Sequence, residues 1–211
     1  MAHSTLKNLI FDLGNVIIDL DFRASEDRLL ELANVSFVKP SEEDLQVFID
    51  FECGHIPEAV FLNYLIRRSG GKAQAVDLIR AWTAMLARIP YQRLAMLQSL
   101  RRQYQVFILS NTNETHIRWV DGHLKEKFKI NRLADLVDRA FYSHDLKTRK
   151  PEPDIYLKML KLANIKPEQS LFFDDHAPNI EAAQKVGIQG HIVSPQDEIT
   201  EIVPAVLARF Q

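Results

Sequence analysis

The stretch Leu9-Ile10-Phe11-Asp12-Leu13-Gly14-Asn15-Val16-Ile17 constrains this chain more than any other. A short apolar run stops on a carboxylate, and Gly-Asn follows at once. A run of this length, bounded by a turn signal, reads as a buried parallel strand ending in a tight turn. In open α/β sheets, ligands bind just beyond the carboxyl ends of the strands. Asp12 therefore sits where chemistry would sit. A turn or helix-capping aspartate would use the same place, so Asp12 alone leaves both readings open.

The pattern recurs. Gln105-Val106-Phe107-Ile108-Leu109 ends in Ser110-Asn111-Thr112-Asn113, and Ser170-Leu171-Phe172-Phe173 ends in Asp174-Asp175. Short strands are expected at 140–143 and 190–193, with amphipathic helices near 114–124, 154–163, 178–186 and 198–209. Strand and helix alternate, which predicts an α/β fold: a Rossmann-like, doubly wound parallel sheet with right-handed crossovers. Residues 24–88 differ, with helical spacing and no strand. Ser41-Glu42-Glu43-Asp44 reads as a helix start, Cys53-Gly54-His55 as a break, and Pro57 as the next start. Residues 20–90 are therefore expected to form an inserted helical lobe, with 1–19 and 91–211 as the core.

With 211 residues, the chain has room for such a core and a small second lobe. A net charge of −2 gives no footprint for nucleic acid and no attraction to a membrane surface. The single cysteine, Cys53, cannot form an internal disulfide and fits a reducing compartment. No window approaches the roughly 20 apolar residues of a membrane span, and the first residues lack the pattern of a signal peptide. The expected address is cytoplasmic. Oligomeric state is not legible.

Asp12, Asp174 and Asp175 would repel one another unless a cation or proton intervened. Hard oxygen ligands favour Mg²⁺. Lys150 is a compact charge suited to a phosphate dianion, and Ser110 with the backbone N–H groups after it can donate to phosphate oxygens. An aspartate beside Mg²⁺ can attack phosphorus and form an aspartyl-phosphate that water hydrolyses. The plainer alternatives are an acidic helix cap at Asp174-Asp175, a surface lysine, and a helix N-cap at Ser110.

Four segments in this order, Phe11-Asp12-Leu13-Gly14-Asn15-Val16, Ile108-Leu109-Ser110-Asn111, Arg149-Lys150-Pro151 and Phe172-Phe173-Asp174-Asp175, resemble the motifs of haloacid dehalogenase-like hydrolases. The resemblance implies Asp12 as nucleophile and magnesium ligand, with Gly14 offering its carbonyl to the metal. It implies Asp175 as a direct ligand and Asp174 as direct or water-mediated. Ser110 and Lys150 would hold the phosphate, with Gly14, Asn15 and Asn111 beside it. The insert resembles the family's cap. Within the family the chain is most similar to bacterial sugar-phosphate phosphatases, including those acting on α-glucose 1-phosphate, so a small phosphorylated metabolite is the expected partner. A metal-independent 2-haloacid dehalogenase and a catalytically weak binding protein are the alternatives.

Two positions depart from the family pattern. Most family phosphatases place a general-acid aspartate two residues after the nucleophile, where this chain has Gly14. Such an acid is typically worth 10²–10⁴-fold. A better leaving group, another donor such as water or His55, or weak catalysis would each follow. Lys147 stands where relatives often have glycine. Among the remaining residues, Phe61, Tyr64 and Trp82 read as cap core, and Glu52 and His55 sit at the helix break. His176 and Asn179 flank the acid pair as capping or bracing groups. His3, His116, His123 and His191 belong to no constellation.

Overall fold

The computed structural model describes residues 5–210, so His3 lies outside it. The chain runs β1 (Asn8–Phe11), β2 (Asp19–Leu20), α1 (Phe22–Ala33), α2 (Glu42–Glu52), α3 (Glu58–Arg68), α4 (Ala75–Thr83) and β3 (Leu86–Arg88). It continues through α5 (Tyr91–Leu100), β4 (Gln105–Ser110), α6 (Glu114–Phe128), β5 (Arg139–Tyr142), α7 (Ser143–Leu146) and α8 (Pro153–Ala163). It closes with β6 (Ser170–Asp174), α9 (Ala177–Lys185), β7 (Gln189–Ile192) and α10 (Ile199–Leu207).

Five strands form one parallel sheet in the order β5-β4-β1-β6-β7. The chain winds from β1 through β4 to β5, then returns to the other side of β1 for β6 and β7. This is the doubly wound pattern, and its switch point lies between β1 and β6. Alternation along the strands buries both faces. Leu9, Phe11, Val106, Ile108, Leu171 and Phe173 enter one apolar cluster, while Ile10, Phe107, Leu109 and Phe172 enter the other. Phe11 pairs in register with Phe173, and their rings stack at 5.0 Å. The next residue on each strand, Asp12 and Asp174, is thereby carried to the same level at the carboxyl edge.

The four helices α1–α4 enclose an apolar core of their own, including Leu29, Phe48, Phe51, Phe61, Leu65 and Trp82. The acid-rich start at Ser41 is a capping box: the Ser41 hydroxyl accepts from the Asp44 N–H at 3.2 Å, and the Asp44 carboxylate accepts from the Ser41 N–H at 3.4 Å. Residues 19–22 hold β2 and the start of α1. β2 pairs antiparallel with β3, so a two-strand ribbon marks where the helical insert leaves and rejoins the sheet. Strands of two and three residues carry no periodic signal, and only the partner strand makes them visible. Arg93 fixes this ribbon to α10, donating to Asp19 at 2.7 Å and to both oxygens of Glu198 at 3.1 and 3.0 Å. The segment after β5 begins with the single helical turn α7. No helix among the described residues is long and apolar enough to cross a membrane.

Candidate active site

Asp12 follows β1, and its N–H donates to Phe173 of β6 at 2.9 Å, which sets the carboxylate beside Asp174. One carboxylate oxygen from each of Asp12, Asp174 and Asp175 lies within 4.8 Å of the others. Lys150 reaches between them. Its Nζ is 2.7 Å from Asp12 Oδ1 and 2.7 Å from Asp174 Oδ2, and the side chain is 1% exposed. The Phe172 ring lies beneath the ammonium at 5.3 Å. Burial pushes the Asp12 carboxyl up to about 7; Lys150 pulls it down, and Asp174 adds to the rise. Burial alone would depress Lys150, but the two carboxylates hold its ammonium above the ordinary lysine value. Three clustered carboxylates against one ammonium leave an excess of negative charge, and hard oxygen donors this close suit a small divalent cation.

The neighbouring polar groups hold this cluster in place. Asp174 is fully buried and accepts from the His176 N–H at 2.8 Å and from Asn179 at 3.0 and 3.1 Å. Asn15, in a left-handed turn conformation at φ 53°, donates to Asp175 at 2.9 Å and accepts from the Leu20 N–H at 3.3 Å. Asn111 closes a double bond with the Lys150 backbone, accepting from its N–H at 2.8 Å and donating to its carbonyl at 2.9 Å. The side chains of Asn15 and Asn111, expected beside the phosphate, are thus engaged in aligning Asp175 and Lys150. The hydroxyl of Ser110 reaches only the Asn111 carbonyl, at 3.5 Å. Among the N–H groups after it, that of Thr112 donates to the Ser143 hydroxyl at 2.8 Å, so it is not free for an anion.

A cavity of about 410 Å³ opens above Asp12 and Lys150, with Gly14, Asn15, Ser110, Asn111 and Asp175 in its floor. The insert supplies its roof: Phe22, Phe37, Phe48, Glu52 and Trp82, with Leu20 and Leu86 from the ribbon. Trp82 is buried in the helical core as expected and also faces the cavity. Phe61 and Tyr64 stay in the insert's interior. His116, which seemed isolated in the sequence, lines the cavity and stacks on Trp82 at 5.3 Å. Its Nε2 lies 3.1 Å from the Trp82 carbonyl, and burial pushes its pKa down to about 4, so the ring is neutral. His55 faces away, with Nδ1 3.3 Å from Asp50, and does not line the cavity.

The two departures now have physical accounts. A Cβ on Gly14 would lie 2.6 Å from the Leu20 Cδ1 atom, so a larger residue there requires the Leu20 side-chain tip to turn aside. Lys147 adopts the left-handed conformation at φ 58° that glycine would take freely, and its ammonium donates to the Gly54 carbonyl at 2.7 Å. It ties the loop after α2 to the core. Gly54 itself has φ +65°, and a Cβ there would lie 2.3 Å from the His144 carbonyl oxygen. Backbone cannot move aside as a side-chain tip can. Gly54→Ala is therefore expected to cost about 1–3 kcal/mol of stability and to unseat the loop that carries Glu52. Urea denaturation of the two proteins checks this; equal midpoints would contradict it.

Arg149 is marked in the sequence only as the motif residue before Lys150, with no role of its own. Its Nε lies 2.8 Å from Glu52 Oε1 at the cavity wall. Burial pushes the Glu52 carboxyl up, opposed by Arg149 and Lys150. Adjacency to Lys150 was the only available signal, because the partner lies 97 residues away in the numbering.

A family model described as haloacid dehalogenase-like hydrolase matches residues 6–187. A D-ribitol-5-phosphate phosphatase from Bacteroides thetaiotaomicron is 27% identical over 186 residues, covering 87% of this chain and 90% of that protein. Among solved structures, a haloacid dehalogenase family enzyme from the same organism, in complex with magnesium and inorganic phosphate, superposes with a TM-score of 0.84. It is 29% identical and covers 93% of this chain and 98% of that one. A predicted HAD-like family hydrolase from Porphyromonas gingivalis superposes with a TM-score of 0.86 at 27% identity, covering 97% and 98%.

Proposed function

This chain belongs to the haloacid dehalogenase-like hydrolase family, and from that premise we propose that it is a magnesium-dependent phosphatase of small sugar or polyol phosphates. The observation that carries the reading is the convergence of Asp12, Lys150, Asp174 and Asp175 at the β1–β6 switch point. The magnesium complex of a similar family enzyme and the phosphatase activity named for a relative support it.

Asp12, Asp175 and the Gly14 carbonyl would hold Mg²⁺, with Asp174 bound directly or through water. When bound, the ion supplies the positive charge that reconciles three carboxylates with an incoming phosphate. Asp12 presents its carboxylate to phosphorus. The ester bond breaks as the aspartyl-phosphate forms, and water then cleaves the acyl phosphate. Lys150 balances the phosphate charge and the Asp12 carboxylate, and Asn111 fixes the backbone of Lys150. Ser110 presents its hydroxyl to a phosphate oxygen. The residues 20–90 act as the cap that excludes water and shapes the leaving-group pocket.

With glycine at position 14, no carboxylic acid stands where most relatives keep one. Esters whose leaving oxygen is intrinsically acidic depend least on such help, and a sugar 1-phosphate is one. Purified protein with Mg²⁺ should hydrolyse members of a panel containing α-glucose 1-phosphate, glucose 6-phosphate and ribitol 5-phosphate. Activity should vanish in EDTA and return with Mg²⁺. No hydrolysis across the panel, or chloride release from a 2-haloacid in EDTA, would overturn the reading.

A further inference from the structure

We propose that the Glu52–Arg149 pair is a hydroxyl-binding clamp that restricts the site to phosphate monoesters whose remaining part is a neutral polyol. The proposal rests on the phosphatase reading and specifies its substrate class. Glu52 is the one charged side chain that the insert contributes to the cavity lining; its neighbours there are Phe22, Phe48 and Trp82. Arg149 enters from the core, immediately before Lys150.

The pair is not built like the structural ion pairs of this protein. Arg93 meets Glu198 through two aligned bonds at 3.1 and 3.0 Å and a further bond to Asp19. By contrast, Arg149 Nε and Glu52 Oε1 face each other at 2.8 Å out of hydrogen-bond alignment, and neither atom has a hydrogen-bond partner among the described residues. Buried polar groups in that condition call for an explanation. The backbone around them is nonetheless held firmly. The Glu52 carbonyl accepts from the Ser143 hydroxyl at 2.7 Å, and the Gly54 carbonyl accepts from Lys147 at 2.7 Å. The paired Oε1 and Nε are closed to solvent, while the two side chains stay 27% and 34% exposed at the cavity wall, which leaves Glu52 Oε2 and the Arg149 Nη groups as the ends a ligand hydroxyl can reach.

A carboxylate accepts from hydroxyls and a guanidinium donates to them, so adjacent hydroxyls on one carbon chain satisfy both members together. The aromatic walls can cover the C–H faces between. The pair carries no net charge. A second phosphate, a carboxylate or an ammonium on the substrate would be matched by one member and repelled by the other. Neutral polyhydroxylated tails are favoured over tails that carry a single uncompensated charge, such as a second phosphate or a lone carboxylate.

The test compares ribitol 5-phosphate with pentyl phosphate, which has the same chain length and no hydroxyls, and with phosphoglycolate, whose remaining part carries a lone carboxylate. The native protein should prefer the polyol ester over both by about 30-fold or more in kcat/KM, since hydrogen bonds to charged groups are each worth roughly 1.5–3 kcal/mol. In Glu52→Ala and Arg149→Ala that ratio should collapse toward unity, with partial recovery in Glu52→Gln. If the pair only latches the insert to the core, the variants lose activity on both esters in proportion, and the unchanged ratio overturns the proposal. Calorimetric binding of the two esters to the Asp12→Asn protein decides the matter independently of turnover: equal affinities sink the clamp. Hydrolysis of both esters at equal rates by the native protein refutes the clamp and leaves the phosphatase reading standing. Hydrolysis of neither, with selective binding of the polyol ester, does the reverse.

Discussion

Replacing Asp12 by asparagine is expected to abolish turnover of every phosphate ester the protein accepts, by about four orders of magnitude or more. The amide keeps the shape and removes the attacking carboxylate. The fold should survive. Burial and the Asp174 charge already work against ionised Asp12, and Lys150 keeps its second partner, Asp174, at 2.7 Å. Steady-state assays with Mg²⁺, beside a thermal melt, separate the two effects. Substantial residual activity in a folded Asp12→Asn protein would remove Asp12 from the role of nucleophile. Loss of folding would show that its contact with Lys150 holds up the sheet edge.

The second large effect is expected at Lys150. This ammonium is 1% exposed and is the only cation within bonding distance of Asp12 and Asp174 among the described residues. Lys150→Met fills much of the volume but leaves two buried carboxylates facing each other. Removing one partner from a buried charge pair costs about 3–5 kcal/mol, which for a chain of this size lowers the melting temperature by roughly 6–20 °C. Phosphatase activity should fall below detection as well. Added Mg²⁺ should restore part of the lost stability, because a divalent cation among the same oxygens takes over the missing charge. Melting curves with and without Mg²⁺ check this. A variant as stable as the native protein and indifferent to Mg²⁺ would mean that the carboxylates do not share a cation.

Wherever function depends on an element's end, the sequence was already informative. A buried parallel strand needs an unbroken apolar run and polar residues appear where it stops, so the sequence alone put Asp12, Ser110 and Asp174-Asp175 at the carboxyl ends of strands. The helical texture of residues 24–88 was equally clear over α1–α4, because four amphipathic helices need a periodicity that strands would break, but its last three residues form β3 instead of helix. Residues whose partners are distant in the chain were not visible. His116 seemed incidental until Trp82, 34 residues before it, stacked on its ring. Asn15 and Asn111 looked like turn residues or phosphate ligands, and only the fold showed their amides holding Asp175 and the Lys150 backbone.

From its amino-acid order alone, this chain determined a doubly wound sheet, a helical insert and the set of acids at the strand ends, with Lys150 in the loop before α8. Those follow from local periodicity and from where each apolar run terminates. Tertiary structure alone decided which oxygens Lys150 bridges, that the Leu20 side chain packs beside position 14, and that Arg149 meets Glu52 at the cavity wall. The reason is physical: burial, charge pairing and steric exclusion act between segments brought together by folding, and separation along the chain carries no record of those distances.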